Sequence, residues 1–118
     1  MNKYHNLRTY TEEGKFDSRY ELKVWNELKL LEQAHVISDL QRQVPFELIP
    51  TIKTNAGTLS KISYVADFVY KEGNQWYALD SKGFETKEFK LKKRLFILKY
   101  GDVYKFIERK KGKADKIY

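Results

Sequence analysis

Two carboxylates stand inside runs that otherwise read as β-strand: Asp67 in Val65-Ala66-Asp67-Phe68-Val69-Tyr70, and Asp80 at the end of Tyr77-Ala78-Leu79-Asp80, with Lys82 two residues on. Strands favour Val, Tyr, Phe and Trp, so acids within them call for a chemical reason. Glu72-Gly73-Asn74-Gln75 separates the runs, and Gly at the first of two loop positions suits a type II′ turn, which pairs residues whose numbers add to 147. That register sets Asp67 opposite Asp80, with side-chain origins roughly 5 Å apart, where like charges repel. A divalent cation between them removes the penalty. Alternation along the strand sends Lys82 to the face that carries both acids. Carboxylates hold magnesium through oxygen, with a substrate phosphate completing its shell. A cation so held lowers the pKa of bound water and stabilises charge on a phosphoryl oxygen. A fixed ammonium adds charge at the scissile phosphate or positions the attacking water. The chemistry this set suits is hydrolysis of a phosphodiester.

The element order brings in a third acid. A helix is expected from Asp17-Ser18 to about Ala34, with Glu21, Val24, Trp25, Leu28, Leu31 and His35 as its inward stripe, and Glu21 reaches Asp67 if this helix packs across the hairpin. Before it, residues 1–16 read as an irregular arm anchored by Tyr4, Tyr10 and Phe16. From Leu40 the period becomes two, giving a strand with Val44, Phe46 and Leu48 on one side; Pro45 marks it as an edge or a bulge. Residues 50–60 read as a loop, 61–70 and 75–82 as the hairpin strands. After a break at Gly83, Thr86 caps a second helix through Lys99, with Phe89, Leu91, Leu95, Phe96 and Leu98 as buried positions and Lys87, Lys90, Lys92, Lys93 and Arg94 on the remaining surface. A last strand follows at 103–107, then a basic tail, 109–118, too charged to pack. The result is one domain, residues 1–118, of order αβββαβ: an α+β fold in which helices flank a mixed central sheet (α/β/α).

Plainer readings compete at each site position. Glu21 also closes a capping box with Ser18. Asp67 could face solvent or pair with Lys82, and Asp80-Ser81-Lys82-Gly83 could be a strand ending in a polar turn. Singly these residues say little; the hairpin register puts Asp67, Asp80 and Lys82 on one face without adjustment. Gln43 either hydrogen-bonds near the site as an auxiliary or ends an edge, the second being the slightly better fit. His5 and His35 read as surface or helix-end positions rather than ligands.

Composition narrows the classes. The 118 residues include no cysteine, which excludes disulfides, zinc-thiolate sites and cysteine nucleophiles. No apolar run approaches the ~18 residues of a membrane span, and no hydrophobic leader opens the chain. A cytoplasmic protein without a membrane partner is expected. The net charge of +7 is lopsided: residues 1–81 balance to −1 and residues 82–118 to +8. A one-sided basic segment is the footprint of a polyanion partner, nucleic acid first and anionic membrane second; a solvated Lys-rich helix face is the bland equivalent.

Tyr64-Val65-Ala66-Asp67-Phe68-Val69-Tyr70 followed by Leu79-Asp80-Ser81-Lys82-Gly83 resembles the Asp…(Asp/Glu)-x-Lys signature of the PD-(D/E)xK nuclease superfamily. Gly14-Lys15-Phe16-Asp17-Ser18-Arg19-Tyr20-Glu21 and Phe89-Lys90-Leu91-Lys92-Lys93-Arg94-Leu95-Phe96 are similar to stretches of a small phage-associated family within it, and the likeness runs from about residue 14 to 107. Ala66 stands where the motif has proline, and Asp80 where glutamate is more usual, which shortens its reach to metal. The resemblance implies a restriction-endonuclease-like core and a Mg2+- or Mn2+-dependent endonuclease cutting DNA in a phage-infected bacterial cell, with branched DNA such as a Holliday junction as the expected substrate. It implies Glu21, Asp67 and Asp80 as metal ligands, Lys82 as catalytic partner, and Lys87, Lys90, Lys92, Lys93 and Arg94 as DNA-gripping residues. Junction resolvases of this architecture are dimers, and 18 Phe, Trp and Tyr residues exceed what so small a core can bury, so a homodimer is expected. Two alternatives remain: a non-catalytic nucleic-acid-binding or accessory phage protein on the same fold, and a restriction-type endonuclease.

Overall fold

Ser18 begins the first helix, α1 (Arg19–Gln33), by accepting the N–H of Glu21 at 3.1 Å. Glu21 answers one residue upstream, accepting the N–H of Asp17 at 3.4 Å, so the capping box is present with its return leg displaced. The helix ends in a Schellman closure. His35 sits at φ 61° and donates its N–H to the Glu32 carbonyl, and Val36 donates to Leu31. His35 is therefore a helix-end residue in a position that favours glycine.

The computed structural model describes residues 9–11, 14–81 and 85–118. After α1 come β3 (Ser38–Ile49), β4 (Ile52–Thr54), β5 (Gly57–Leu59), β6 (Ile62–Glu72), β7 (Gln75–Asp80), α2 (Lys87–Tyr100), β8 (Tyr104–Glu108) and β9 (Lys116–Ile117). A small hairpin, β1 (Thr9–Thr11) and β2 (Gly14–Phe16), precedes it. The main sheet runs β3-β6-β7-β8-β9 and is antiparallel except between β7 and β8, which α2 connects. With the small hairpins and β9 set aside, helix, three strands, helix, strand remain in the expected order. Pro45 lies in β3 at the sheet edge, where its missing donor costs least. Gly73 has φ 59°, and Glu72 to Phe68 pair with Gln75 to Leu79 in the 147 register.

Adjacent residues in the strands feed opposite layers. Val69, Ala78 and Phe106 meet Phe89 and Phe96 of α2, while Phe68, Tyr70, Leu79 and Ile107 meet Val24 and Leu28 of α1. The sheet is thus covered on both faces, an α+β domain with a mixed sheet between two helices. Alternation fails at one place. Ala66 belongs to the α2 side and Phe68 to the α1 side, although two residues apart should share a face. The ladder pairs Arg42 with Phe68 and Val44 with Ala66 but skips Gln43 and Asp67 between them, and Gln43 is at φ 54°. The chain is irregular where Asp67 stands.

Several expectations need correction. Part of the N-terminal arm is paired as β1–β2, and the 50–60 loop is a second hairpin, β4–β5. Leu31 and His35 are exposed because the chain turns into β3 and buries Ile37 in their stead. Leu91 and Leu98 are 58% and 84% exposed, since α2 meets the sheet through Phe89 and Phe96. The tail does pack. β9 pairs with β8, Arg109 is bidentate to Asp115 at 2.9–3.0 Å, and the Tyr118 ring lies 6.0 Å from Phe106. Arg109 is neutralised by Asp115 and Lys110 by Glu85, which lets the start of so polar a segment lie down.

Candidate active site

The irregularity at Gln43 and Asp67 is what lets two acids meet. Glu21, on the first turn of α1, and Asp67, in β6, are both buried and are bridged by the Gln43 amide, whose Nε2 lies 3.3 Å from Glu21 Oε1 and 3.5 Å from Asp67 Oδ1. Gln43 is therefore part of the site and does not end its strand. Asp67 Oδ2 also accepts the Ser81 N–H at 2.9 Å and the Ser81 hydroxyl at 3.0 Å, which ties β6 to the end of β7. Burial and the facing Asp67 raise the Glu21 carboxyl to about 7, against smaller lowering effects of the Asp17 N–H and Arg42. The Arg42 guanidinium stacks 3.8 Å above Phe16 and donates to the Lys15 carbonyl, and Trp25 stacks on Phe68 at 5.7 Å. These aromatics form the apolar floor beside the acids.

Asp80 is placed differently. The expected pairing stops at Phe68–Leu79, one residue short of Asp67 and Asp80. Asp80 is fully buried, and its Oδ2 accepts the Tyr64 hydroxyl at 2.8 Å on the α2 side, whereas Asp67 turns to Glu21 of α1. The expected face, with helix one packed over both acids, is split because the break at Asp67 exchanges the two faces of β6. Burial, then Asp80, hold the Tyr64 hydroxyl well above its ordinary value, so it donates throughout the working pH range. Among the described residues no group of three or more His, Cys, Asp or Glu side chains converges to hold a metal ion. Lys82 lies outside the described residues.

A second buried acid, Glu108, is the register partner of Asp80 across the parallel β7–β8 pair. Its Oε2 receives Lys93 Nζ at 3.2 Å, and the same ammonium reaches Glu85 Oε1 at 3.3 Å and the Tyr118 hydroxyl at 3.3 Å. Lys110 adds a contact to Glu85 at 3.6 Å. A hydrogen bond shared with Glu108, then Lys93 and Lys110, lower the Glu85 carboxyl to about 2. Burial pulls the Lys93 ammonium down, but its bonds to Tyr118, Glu108 and Glu85 outweigh this and raise it. Lys93 is thus an internal counter-ion, only 12% exposed, and Lys92 is engaged by Glu88 one turn away. Lys87, Lys90 and Arg94 are exposed, and at spacings of three and four they form one stripe.

Sequence reasoning missed Ser81 and Arg42 at the acid pair, and Tyr64, Glu85 and Glu108 on the α2 side. A signal existed for two of them. A tyrosine in a buried run needs a partner for its hydroxyl, and Phe106-Ile107-Glu108 repeats the apolar-apolar-acid pattern of Ala78-Leu79-Asp80.

A two-helix, mixed-sheet α+β domain with an acid pair bridged across α1, β3 and β6 is the class these features define. Residues 1–114 match the family model described as "Protein of unknown function (DUF1064)", and the chain belongs to that family. No curated protein and no solved structure matches it.

Proposed function

We propose that the protein is a metal-dependent endodeoxyribonuclease that hydrolyses phosphodiester bonds in branched DNA such as Holliday junctions, on a restriction-endonuclease-like core. The observation that carries this reading is the Glu21–Gln43–Asp67 cluster. Two buried carboxylates facing each other, one of them raised to about 7 in spite of the smaller lowering effect of Arg42, form an oxygen-donor set. Such a set fits Mg2+ or Mn2+. Glu21 and Asp67 would hold the ion, and Asp80 would join them by leaving the Tyr64 hydroxyl or by offering its second oxygen. When bound, the ion supplies Lewis-acid stabilisation and an acidified water. Gln43 and Ser81 fix the carboxylates, Lys82 steadies charge at the phosphate, and Lys87, Lys90 and Arg94 grip the backbone. Two symmetric cuts in a branched duplex call for two sites, so the active unit is a homodimer.

The engagement of Asp80 by Tyr64 favours a second reading, a nucleic-acid-binding or accessory protein without catalysis. One experiment separates them. Purified protein is incubated with a four-way junction and with plasmid DNA, in magnesium and in EDTA. Cleavage only with magnesium, abolished by Asp67→Asn, is expected. Binding without cleavage in magnesium or manganese would establish the second reading.

A further inference from the structure

The β4–β5 hairpin is a projection of the sheet rather than a loop folded back on it. Ile49 pairs with Ile62, and after a short interruption Ile52 pairs with Leu59 in a register whose numbers again add to 111, so β3–β6 continues outward as a two-stranded ribbon. Every residue from Pro50 to Ile62 is exposed. The radius of gyration is 15.7 Å, against about 13 Å for a domain this long, in keeping with a projecting element. The tip is preformed: the Thr54 hydroxyl donates to the Gly57 carbonyl at 2.8 Å and accepts the Ala56 N–H at 3.1 Å. An exposed tip held in one shape is suited to a partner of fixed shape.

Its chemistry identifies that partner. No Asp or Glu occurs between Glu47 and Asp67, a stretch that carries Lys53, Lys61 and the donors Thr51, Thr54, Asn55, Thr58 and Ser60. Lys53 faces Thr58 across the ribbon, and Ile52 faces Leu59, so one side is polar and cationic and the other apolar. A second copy would bring lysines against lysines with no acid to meet them. A polyanion meets them directly. The major groove of B-form DNA, about 12 Å wide, admits a two-stranded ribbon, whereas the deep, narrow major groove of A-form RNA does not. We propose that the β4–β5 ribbon enters the major groove of a DNA arm. This rests on the nucleic-acid reading above and deepens it. At ~3.3 Å per residue the tip lies about 35 Å along the strands from Gln43 and Asp67, so it contacts DNA about one helical turn from the acids.

The test uses the full chain in EDTA, where nothing is cut, and reads fluorescence anisotropy on four-way junctions with arms of about 8 or 24 base pairs. Wild type should bind the long-armed junction more tightly. Lys53→Glu should lose about tenfold on long arms and nothing on short ones, and Lys53→Ala should lower the log-log salt slope by about 0.9 on long arms only. Lys53 is exposed, and an unchanged melting temperature of each variant verifies folding. Equal affinity of Lys53→Glu and wild type on long arms overturns the ribbon proposal, as does an equal loss on duplex RNA. A dimeric mass that becomes monomeric in Lys53→Glu overturns it too, in favour of contact between copies. Wild type that binds no DNA removes both the proposal and the reading beneath it; wild type that binds but never cuts removes only the nuclease.

Discussion

Replacing Glu21 by Gln should stabilise the metal-free protein at alkaline pH, and the structure sets the size of the effect. The Glu21 carboxyl lies at about 7 in the fold, against an ordinary 4.5, because it is buried opposite Asp67. Folding therefore takes up a proton between these two values. The associated stability is whole below pH 4.5, declines as pH rises, and is gone above pH 7. The gap corresponds to a ceiling of about 3 kcal/mol. Each kcal/mol moves the melting temperature of a chain this long by about 4 °C. Glu21→Gln keeps the neutral form at every pH and can offer its amide to Asp67. In EDTA the variant should match wild type near pH 4.5 and melt up to about 12 °C higher at pH 8. Manganese should remove most of that difference. A cation at 100 times its dissociation constant adds about 2.7 kcal/mol to wild type, whereas the variant has lost one ligand charge. Thermal melts of both proteins at pH 4.5, 6 and 8, with EDTA or manganese, provide the comparison. Parallel pH profiles in EDTA would show that burial and Asp67 do not raise the Glu21 carboxyl. An equal manganese shift in both proteins would show that the cation does not bind there.

Further outcomes follow from the proposed function and from the structure. Lys82→Ala should abolish cleavage while leaving DNA binding nearly intact, as one of 23 basic residues contributes little to phosphate neutralisation; wild-type turnover would remove Lys82 from the mechanism. Changing Lys87, Lys90 and Arg94 together to Ala should flatten the salt dependence of DNA binding by roughly 0.9 per lost contact without lowering stability, whereas Lys93→Met should cost about 3 kcal/mol by stranding buried Glu108. Titration of binding against salt and urea unfolding read the two effects separately, and an unchanged unfolding midpoint for Lys93→Met would refute its role as counter-ion. His35→Gly should raise stability by about 1 kcal/mol, since His35 holds the left-handed position of the α1 closure; a loss in urea unfolding would mean that its side chain does more than end the helix.

The parts of the fold legible in the sequence are those written in local chemistry. Ser18 and Glu21 mark the start of α1 because a cap is satisfied within four residues, and Gly73 sets the β6–β7 register because turn geometry alone decides it. Pro45 gives away the sheet edge through its missing donor. What the residues could not disclose depends on groups distant in the chain. Nothing near Lys93 distinguishes it from Lys90 until Glu85, Glu108 and Tyr118 fold around it, so a basic helix face was expected where there are three exposed cations and an internal ion pair. The tail reads as too charged to pack because Arg109-Lys110-Lys111-Gly112-Lys113 contains no acid; the nearby Asp115 meets Arg109 only once the chain turns back on itself.

The candidate site exposes the limit most clearly. Face assignments from alternation hold only while the ladder is unbroken, and at Gln43 and Asp67 it is broken. Past that point the faces exchange, so the two acids that a regular hairpin would oppose are turned to different layers, Asp67 to Glu21 and Asp80 to Tyr64. Gln43 carried the available warning: a long polar side chain in a half-buried edge strand either faces water or closes a gap in a polar cluster. With its backbone at φ 54° it stays exposed and yet does the second, since the departure from strand geometry aims its amide between Glu21 and Asp67. A non-glycine residue held in that conformation costs of order 1–3 kcal/mol, and such strain persists where the surroundings require it, commonly at functional sites. The irregularity that defeats the periodic reading of β6 is thus the same feature that builds the acid pair.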